Sequence, residues 1–320
     1  MVVYVSLAKP GVLAKFGGDT EHYLWISRTL YYGWKSFQHT DPRGNLYAFS
    51  HFPLYPIAVG MVAEAFFLDR LTAGYAVTIL FSSLTLIMFH KLALLRGKRS
   101  ILYPLLLIAT SHETTLGSIV ISCTPMFLFL VFASHYYFEK DSYGRSALSA
   151  GVAQATHFVT WTLFPTYAIL SFVKGKSKKA ILYLSVPIAL SLVFALFWFR
   201  SEDFWIFLRY NIGHPYHHYY PFASCYAFMT SGAFSLWHKG LVSFSLAWIG
   251  LGFYLLVRAK QYGPAMLGLF SLVAAASIGP AHGFLRYAMA STICLLGLTT
   301  LDLERRRSVW IVVIYEYVGD

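Results

Sequence analysis

The feature that most limits what this chain can fold into is the absence of charge over long distances. Residues 116–138, 180–199 and 261–285 contain no Asp, Glu, Lys or Arg. Each is long enough to cross the roughly 30 Å hydrocarbon core of a bilayer as a helix. A water-soluble surface needs ionic groups, and only 12% of the 320 residues are charged, against 57% that are hydrophobic. That is about half the charge usage of ordinary soluble domains. Disorder is excluded, and the chain reads as an all-α, polytopic membrane protein with roughly eight to ten spanning or half-spanning helices. Its aromatic content of 18% suits a protein with many residues at the membrane–water interface.

The formal net charge of +11 would raise nucleic-acid binding in a soluble protein. Here the basic residues sit in short gaps between apolar runs, so they read as marks of the cytoplasmic side and no nucleic-acid partner is implied. The clearest marks are Arg96-Gly97-Lys98-Arg99, the run from Lys174 to Lys179, Arg258-Ala259-Lys260 and Arg305-Arg306-Arg307. Placed inside, they make residues 72–95 enter the cytoplasm and 180–199 leave it. Residues 240–257 then return, 261–279 leave again and 285–301 come back, with 200–239 and the turn near Gly279-Pro280 outside. Residues 101–138 must go out and back, turning near His112-Glu113, with a first arm of only about twelve residues. Residues 146–173, between two inner loops, are too few for two full crossings and read as a short helix pair dipping into the membrane. Cys123, Cys225 and Cys294 lie far apart, with no metal spacing and no disulfide framework. The N-terminal stretch is a poor signal peptide, broken by Lys9 and Pro10.

Residues 1–71 differ in kind, being rich in His, Asp, Gly and Tyr. They are expected on the outer face, forming a catalytic loop and interfacial helices ahead of a transmembrane bundle (72–320) in a single domain. Tyr23, Leu24, Ile26, Leu30 and Tyr31 recur at helical spacing and predict an amphipathic helix along the interface. Three polar clusters on this face could carry chemistry. In Gly17-Gly18-Asp19-Thr20-Glu21-His22-Tyr23 an acid stands at the mouth of a helix, where its ordinary role is to cap free N–H groups; its alternative role is as a base. In His51-Phe52-Pro53-Leu54-Tyr55-Pro56 two prolines stiffen the lead into a helix, and Tyr55 reads either as an interface anchor or as a site residue. Arg286-Tyr287 puts a cation at the outer end of an uncharged span, where it either snorkels to headgroups or binds phosphate.

Taken in order, Gly-Asp-x-x-x-Tyr, Phe-Pro-Leu-Tyr-Pro and a late Arg-Tyr resemble the GT-C class of integral-membrane glycosyltransferases. The similarity is greatest to the branch that includes the second mannosyltransferase of GPI-anchor synthesis and its prokaryotic relatives. Ser122-Cys123-Thr124-Pro125-Met126-Phe127 and Gly151-Val152-Ala153-Gln154-Ala155-Thr156-His157 match that branch's middle segments. The resemblance implies an inverting enzyme that moves a hexose, mannose or another, from a polyprenyl- or dolichyl-phosphate donor to a lipid-linked or glycan acceptor. Asp19 would be the base, Arg286 and Tyr287 would hold the donor phosphate, and Glu21, His22, His51, Tyr55, Glu113, His157 and His217 would contact substrate. No cofactor and no metal are implied: the histidines of His214–His218 have no recognised ligand spacing. The membrane would be a prokaryotic plasma membrane or the endoplasmic reticulum, with the site on the non-cytoplasmic face.

Three departures stand against the pattern. His157 replaces the usual Arg, Gly18 precedes the acid where eukaryotic members have Trp, and residues 1–18 are too short and broken to be the family's first span. A preceding segment, a shortened member and an inactive remnant all fit the last. A transporter or lipid flippase is the competing function, although such proteins place their charges in matched halves near the midplane, and no halves match here.

Overall fold

The computed structural model describes residues 19–36, 44–111, 120–212, 236–278 and 289–301, together with 226, 229, 230 and 232. Among them every regular element is a helix. In chain order these are α1 (Thr20–Thr29), α2 (Leu54–Phe66), α3 (Arg70–Leu95), α4 (Leu102–Thr110), α5 (Thr124–Glu139), α6 (Tyr143–Gln154), α7 (Leu163–Val173), α8 (Ser185–Ser201), α9 (Ile206–Ile212), α10 (Leu236–Arg258) and α11 (Tyr262–Ile278). Tight 3-10 segments cover Trp34–Ser36, Gly44–Ser50, Phe158–Thr162, Ser177–Leu184 and Met289–Thr300.

Among the described residues two helices are long and apolar enough to cross a membrane by length and composition: Arg70–Leu95, and Ser177–Ser201 taken through its 3-10 start. The other apolar helices, Leu54–Phe66, Phe158–Val173, Val242–Arg258, Tyr262–Ala276 and Ala290–Thr300, are shorter. The sequence expectation of roughly eight to ten spanning or half-spanning elements thus becomes two full-length helices and a set of shorter ones. The pair expected within 146–173 is present as α6 and α7, joined through Phe158–Thr162. The short arm of 101–138 is α4.

Helix starts follow local chemistry where they can. Asp69 caps α3, its carboxylate accepting from the N–H groups of Leu71 and Thr72, both at 3.0 Å, and from the Thr72 hydroxyl. Those bonds to the ionised form hold its pKa below the usual carboxylate value. Asp203 accepts from the N–H of Trp205 at 2.9 Å ahead of α9.

The described part of the last expected span, Met289–Thr300, is a 3-10 helix packed on α10 and α11. So long a 3-10 run is unusual, and here it accompanies backbone contact with its neighbours. A methyl group added at Gly252 would lie 2.7 Å from the Cys294 carbonyl carbon, and one at Gly297 would lie 2.9 Å from Gly252 Cα. Only glycine permits this approach.

The interior divides into three apolar clusters. The largest joins α3 to α7 with α10, α11 and Met289–Thr300. A second, of Ile26, Tyr31, Phe49, Phe52, Phe194, Phe197 and Phe207, ties the N-terminal block to α8 and α9. The third, built on Tyr23, Tyr55, Val59, Val77, Cys123 and Met126, ties that block to α2, α3 and the start of α5. Helix α1 is the wall between the second and third. This corrects the expected interfacial helix: Tyr23, Ile26 and Tyr31 are buried against protein on two sides, so the apolar stripe that reads as lipid-facing in sequence is spent on tertiary contacts.

Candidate functional site

Where α1 meets the His51–Pro56 segment, Asp19 stands at the first position before the helix, but its side chain makes no capping bond. Instead Oδ1 lies 3.3 Å from His51 Nε2, with the Asp19 side chain 16% exposed and that of His51 4%. Capping, the ordinary role of an acid at this position, is therefore not what this carboxylate does. On its other side His51 Nδ1 is 3.0 Å from the Ser50 hydroxyl. In the neutral tautomer with the proton on Nε2, His51 donates to Asp19 and accepts from Ser50, giving a chain Ser50–His51–Asp19.

The imidazole of His51 is held on several faces. His22 stacks on it, with ring centroids 5.0 Å apart and planes 8° from parallel. Tyr23 meets it edge-on at 4.9 Å. From below, the Tyr31 hydroxyl donates to the His51 carbonyl at 2.5 Å. Tyr31 reaches that position because α1 breaks sharply: Leu30 and Tyr31 both take left-handed backbone conformations, φ 45° and 64°. Such strain in non-glycine residues is uncommon and persists only where the surroundings demand it.

The remaining walls come from distant parts of the chain. Tyr23 donates its hydroxyl to Cys123 Sγ at 3.1 Å, and Cys123 is buried, which makes it a packing partner rather than a reactive thiol. The Leu54 N–H donates to the Ala155 carbonyl at 3.0 Å, joining the proline-rich segment to the α6–α7 connection. His157 lies in that connection, its Nδ1 accepting from the Val159 N–H at 3.3 Å and its ring 5.5 Å from that of Phe127. An imidazole here differs from the arginine of the family pattern, which carries charge at any pH.

Of the residues expected at a site, Asp19, His22, His51 and His157 are brought together. Glu21 is exposed on the first turn of α1. Tyr55 is fully buried, and its hydroxyl bonds to Thr78 Oγ1 at 2.7 Å and donates to the Gly74 carbonyl at 3.2 Å. It is thus a pillar between α2 and α3, and its reading as an interface anchor does not hold. Glu113, His217, Arg286 and Tyr287 lie outside the described residues. Ser50 is not singled out in the sequence, and Tyr31 reads there only as part of an apolar helical stripe. Ser50's adjacency to His51 is its one signal, and nothing local points Tyr31 at the His51 carbonyl.

Chemically, a largely enclosed carboxylate–imidazole pair can accept and pass on a proton. Among the described residues no group of three or more His, Cys, Asp or Glu could hold a metal ion. No protein-family model, curated protein or solved structure matches the chain.

Proposed function

We propose that this protein is a multi-pass membrane glycosyltransferase of the GT-C kind, using a polyprenyl-phosphate hexose and deprotonating its acceptor with Asp19. The observation that carries the reading is the Asp19–His51 pair. Three strings that resemble the family's lie far apart in sequence: the Asp19 block, the His51–Pro56 segment and the Gly151–His157 segment. The Asp19–His51 pair joins the first to the second and the Leu54–Ala155 hydrogen bond the second to the third, as a shared site would require, and the Cys123 end of a fourth string meets Tyr23.

Support for the membrane placement comes from the outward faces of the long helices. Only 39% of the apolar window of Arg70–Leu95 and 28% of that of Ser177–Ser201 is buried. Ile79, Leu80 and Ile87 on α3, and Ile188, Leu192 and Phe199 on α8, are exposed. A core helix of a soluble protein would hide such residues, and a continuous exposed apolar surface calls for an apolar environment.

In the proposed reaction the acceptor hydroxyl attacks the anomeric carbon from the face opposite the phosphate. Asp19 takes the hydroxyl proton as the new C–O bond forms, and the bond from the anomeric carbon to the phosphate oxygen breaks. Polyprenyl phosphate leaves with that electron pair. His51 orients the carboxylate, and the stacked His22 limits the ring's rotation. With His157 standing where the family pattern has arginine, the positive charge needed by the leaving group falls to Arg286.

The test is sugar transfer from a labelled polyprenyl-phosphate mannose by the purified chain in detergent, with release of polyprenyl phosphate measured in parallel. Asp19→Asn keeps the shape and removes the base, and is expected to lower turnover by about a hundredfold or more. Equal transfer by wild type and Asp19→Asn would reject the site. Substrate flux across proteoliposomes without transfer by any hexose donor would replace the enzyme with a transporter.

A further inference from the structure

At the opposite end of α6 from His157, the turn after α5 and the lysine-rich 3-10 segment line an open surface cavity of about 570 Å³. Its walls carry three cations, Arg145, Lys176 and Lys179, and one carboxylate, Asp141. Asp141 is engaged by the Tyr143 hydroxyl, which donates to it at 2.7 Å. Among the described residues no carboxylate forms an ion pair with any of the three cations.

The cavity floor is the start of α6, a twelve-residue helix, formed by Ser142, Tyr143 and Gly144. Ser142 makes no side-chain capping bond, so the first N–H groups of the helix keep their capacity to donate. A side chain at Gly144 would meet nothing within 4 Å, which leaves the backbone there open to a ligand. Positive side chains, free helix N–H groups and a roomy cavity together suit a phosphate oxyanion.

The lining is mostly polar, with one aliphatic residue. Leu182 lines it, and exposed Leu148, Ile181 and Ile188 continue from it along α6 and the Ser177–Ser201 helix. Lys176 and Lys179 belong to the basic run expected at the cytoplasmic surface, where anionic lipids are concentrated. A water-soluble phosphate ester would use the cations and leave this apolar strip unoccupied. A glycerophospholipid uses both.

We propose that this cavity is a binding site for an anionic glycerophospholipid, with the headgroup phosphate among Arg145, Lys176, Lys179 and the α6 N-terminus and its acyl chains along Leu148, Ile181 and Ile188. The proposal rests on the membrane placement above and is independent of the transfer chemistry. A diffuse basic surface would also attract such lipids, so the decisive property is preference at this cavity.

Native mass spectrometry of the full chain in detergent, with an equimolar mixture of phosphatidylglycerol and phosphatidylcholine, reads that preference directly. Wild type is expected to retain phosphatidylglycerol over phosphatidylcholine by about tenfold. Arg145→Gln/Lys176→Gln/Lys179→Gln should erase the preference, and Lys179→Gln alone should reduce it should the triple variant not fold. Lys98→Gln/Arg99→Gln, which removes charge from the same expected surface outside the cavity, should keep it. An equal loss in that control, or persistence of the preference in both cavity variants, overturns the site. Displacement of phosphatidylglycerol by excess inorganic phosphate, with no dependence on acyl chains, replaces the lipid with a free phosphate. Failure to retain lipid of either class would instead sink the membrane placement.

Discussion

The packing of Met289–Thr300 allows a sharp test of the tertiary structure, because two glycines approach the same cysteine in different ways. A methyl group at Gly268 would overlap Cys294 Sγ, while standing 3.6 Å from Cys294 Cβ and 3.4 Å from the Ser291 carbonyl oxygen, both ordinary contacts. The conflict is therefore with one sulfur atom alone. Cys294 is 1% exposed, so the sulfur has little room to swing, and Gly268→Ala should cost about 1–3 kcal/mol by overpacking. Cys294→Ala by itself should cost about 1 kcal/mol for the small void it leaves. Combined, the new methyl occupies the space of the lost sulfur, and the double variant should recover most of the loss, with a coupling of about 1–2 kcal/mol between the sites. Gly252→Ala is the control. Its methyl would lie 2.7 Å from the Cys294 carbonyl carbon and 3.2 Å from Leu295 Cα, against backbone that no side-chain deletion removes. It should be more costly than Gly268→Ala and should not be rescued by Cys294→Ala. The assay is thermal unfolding of purified protein in one detergent at a fixed heating rate, where about 1 kcal/mol corresponds to a shift of about 2–4 °C. The reasoning fails if Gly268→Ala melts with wild type, or if Cys294→Ala rescues both glycine variants alike.

Two other substitutions separate structural from catalytic roles. Tyr55→Phe removes a hydroxyl that faces Thr78 and Gly74, and should lower stability by about 1 kcal/mol while leaving sugar transfer nearly intact; a hundredfold loss of turnover in a normally folded variant would make Tyr55 a substrate contact. Asp69→Ala should lower the unfolding temperature at neutral pH, because the native carboxylate is stabilised by its bonds at the start of α3. The folded pKa is depressed, so this contribution is fully present above the ordinary carboxylate value and is lost below it, as the pH falls through the lower folded pKa. The gap between Asp69→Ala and wild type should close on acidification, and a gap that widens would contradict the capping account.

Much of the helical organisation was legible in the chain. The stretch at 180–199 emerges from uncharged length after a basic run and that at 72–95 from apolar length ended by the basic run at Arg96, and α3 and Ser177–Ser201 occupy those ranges. The short pair in 146–173 follows from the same arithmetic of length. Hydrophobic periodicity was less informative for α1, because an apolar face reads alike whether it will meet lipid or protein. Two apolar clusters, which draw on α2, α3, α8 and α9, claim its opposite sides.

For the candidate site, sequence determined the residue types: an acid after two glycines, a histidine before a proline-stiffened segment and a histidine where the family pattern has arginine. It could not determine whether Asp19 caps its helix, since both roles use the same residue at the same position. Only tertiary structure decided that, by setting His51 3.3 Å from the carboxylate and leaving the helix uncapped by that side chain. The same holds for the His157 segment, which meets the proline-rich one through the Leu54–Ala155 hydrogen bond between residues distant in sequence. Local propensity is written in neighbouring residues, whereas proximity and desolvation are properties of packed surfaces and exist only once the helices have met.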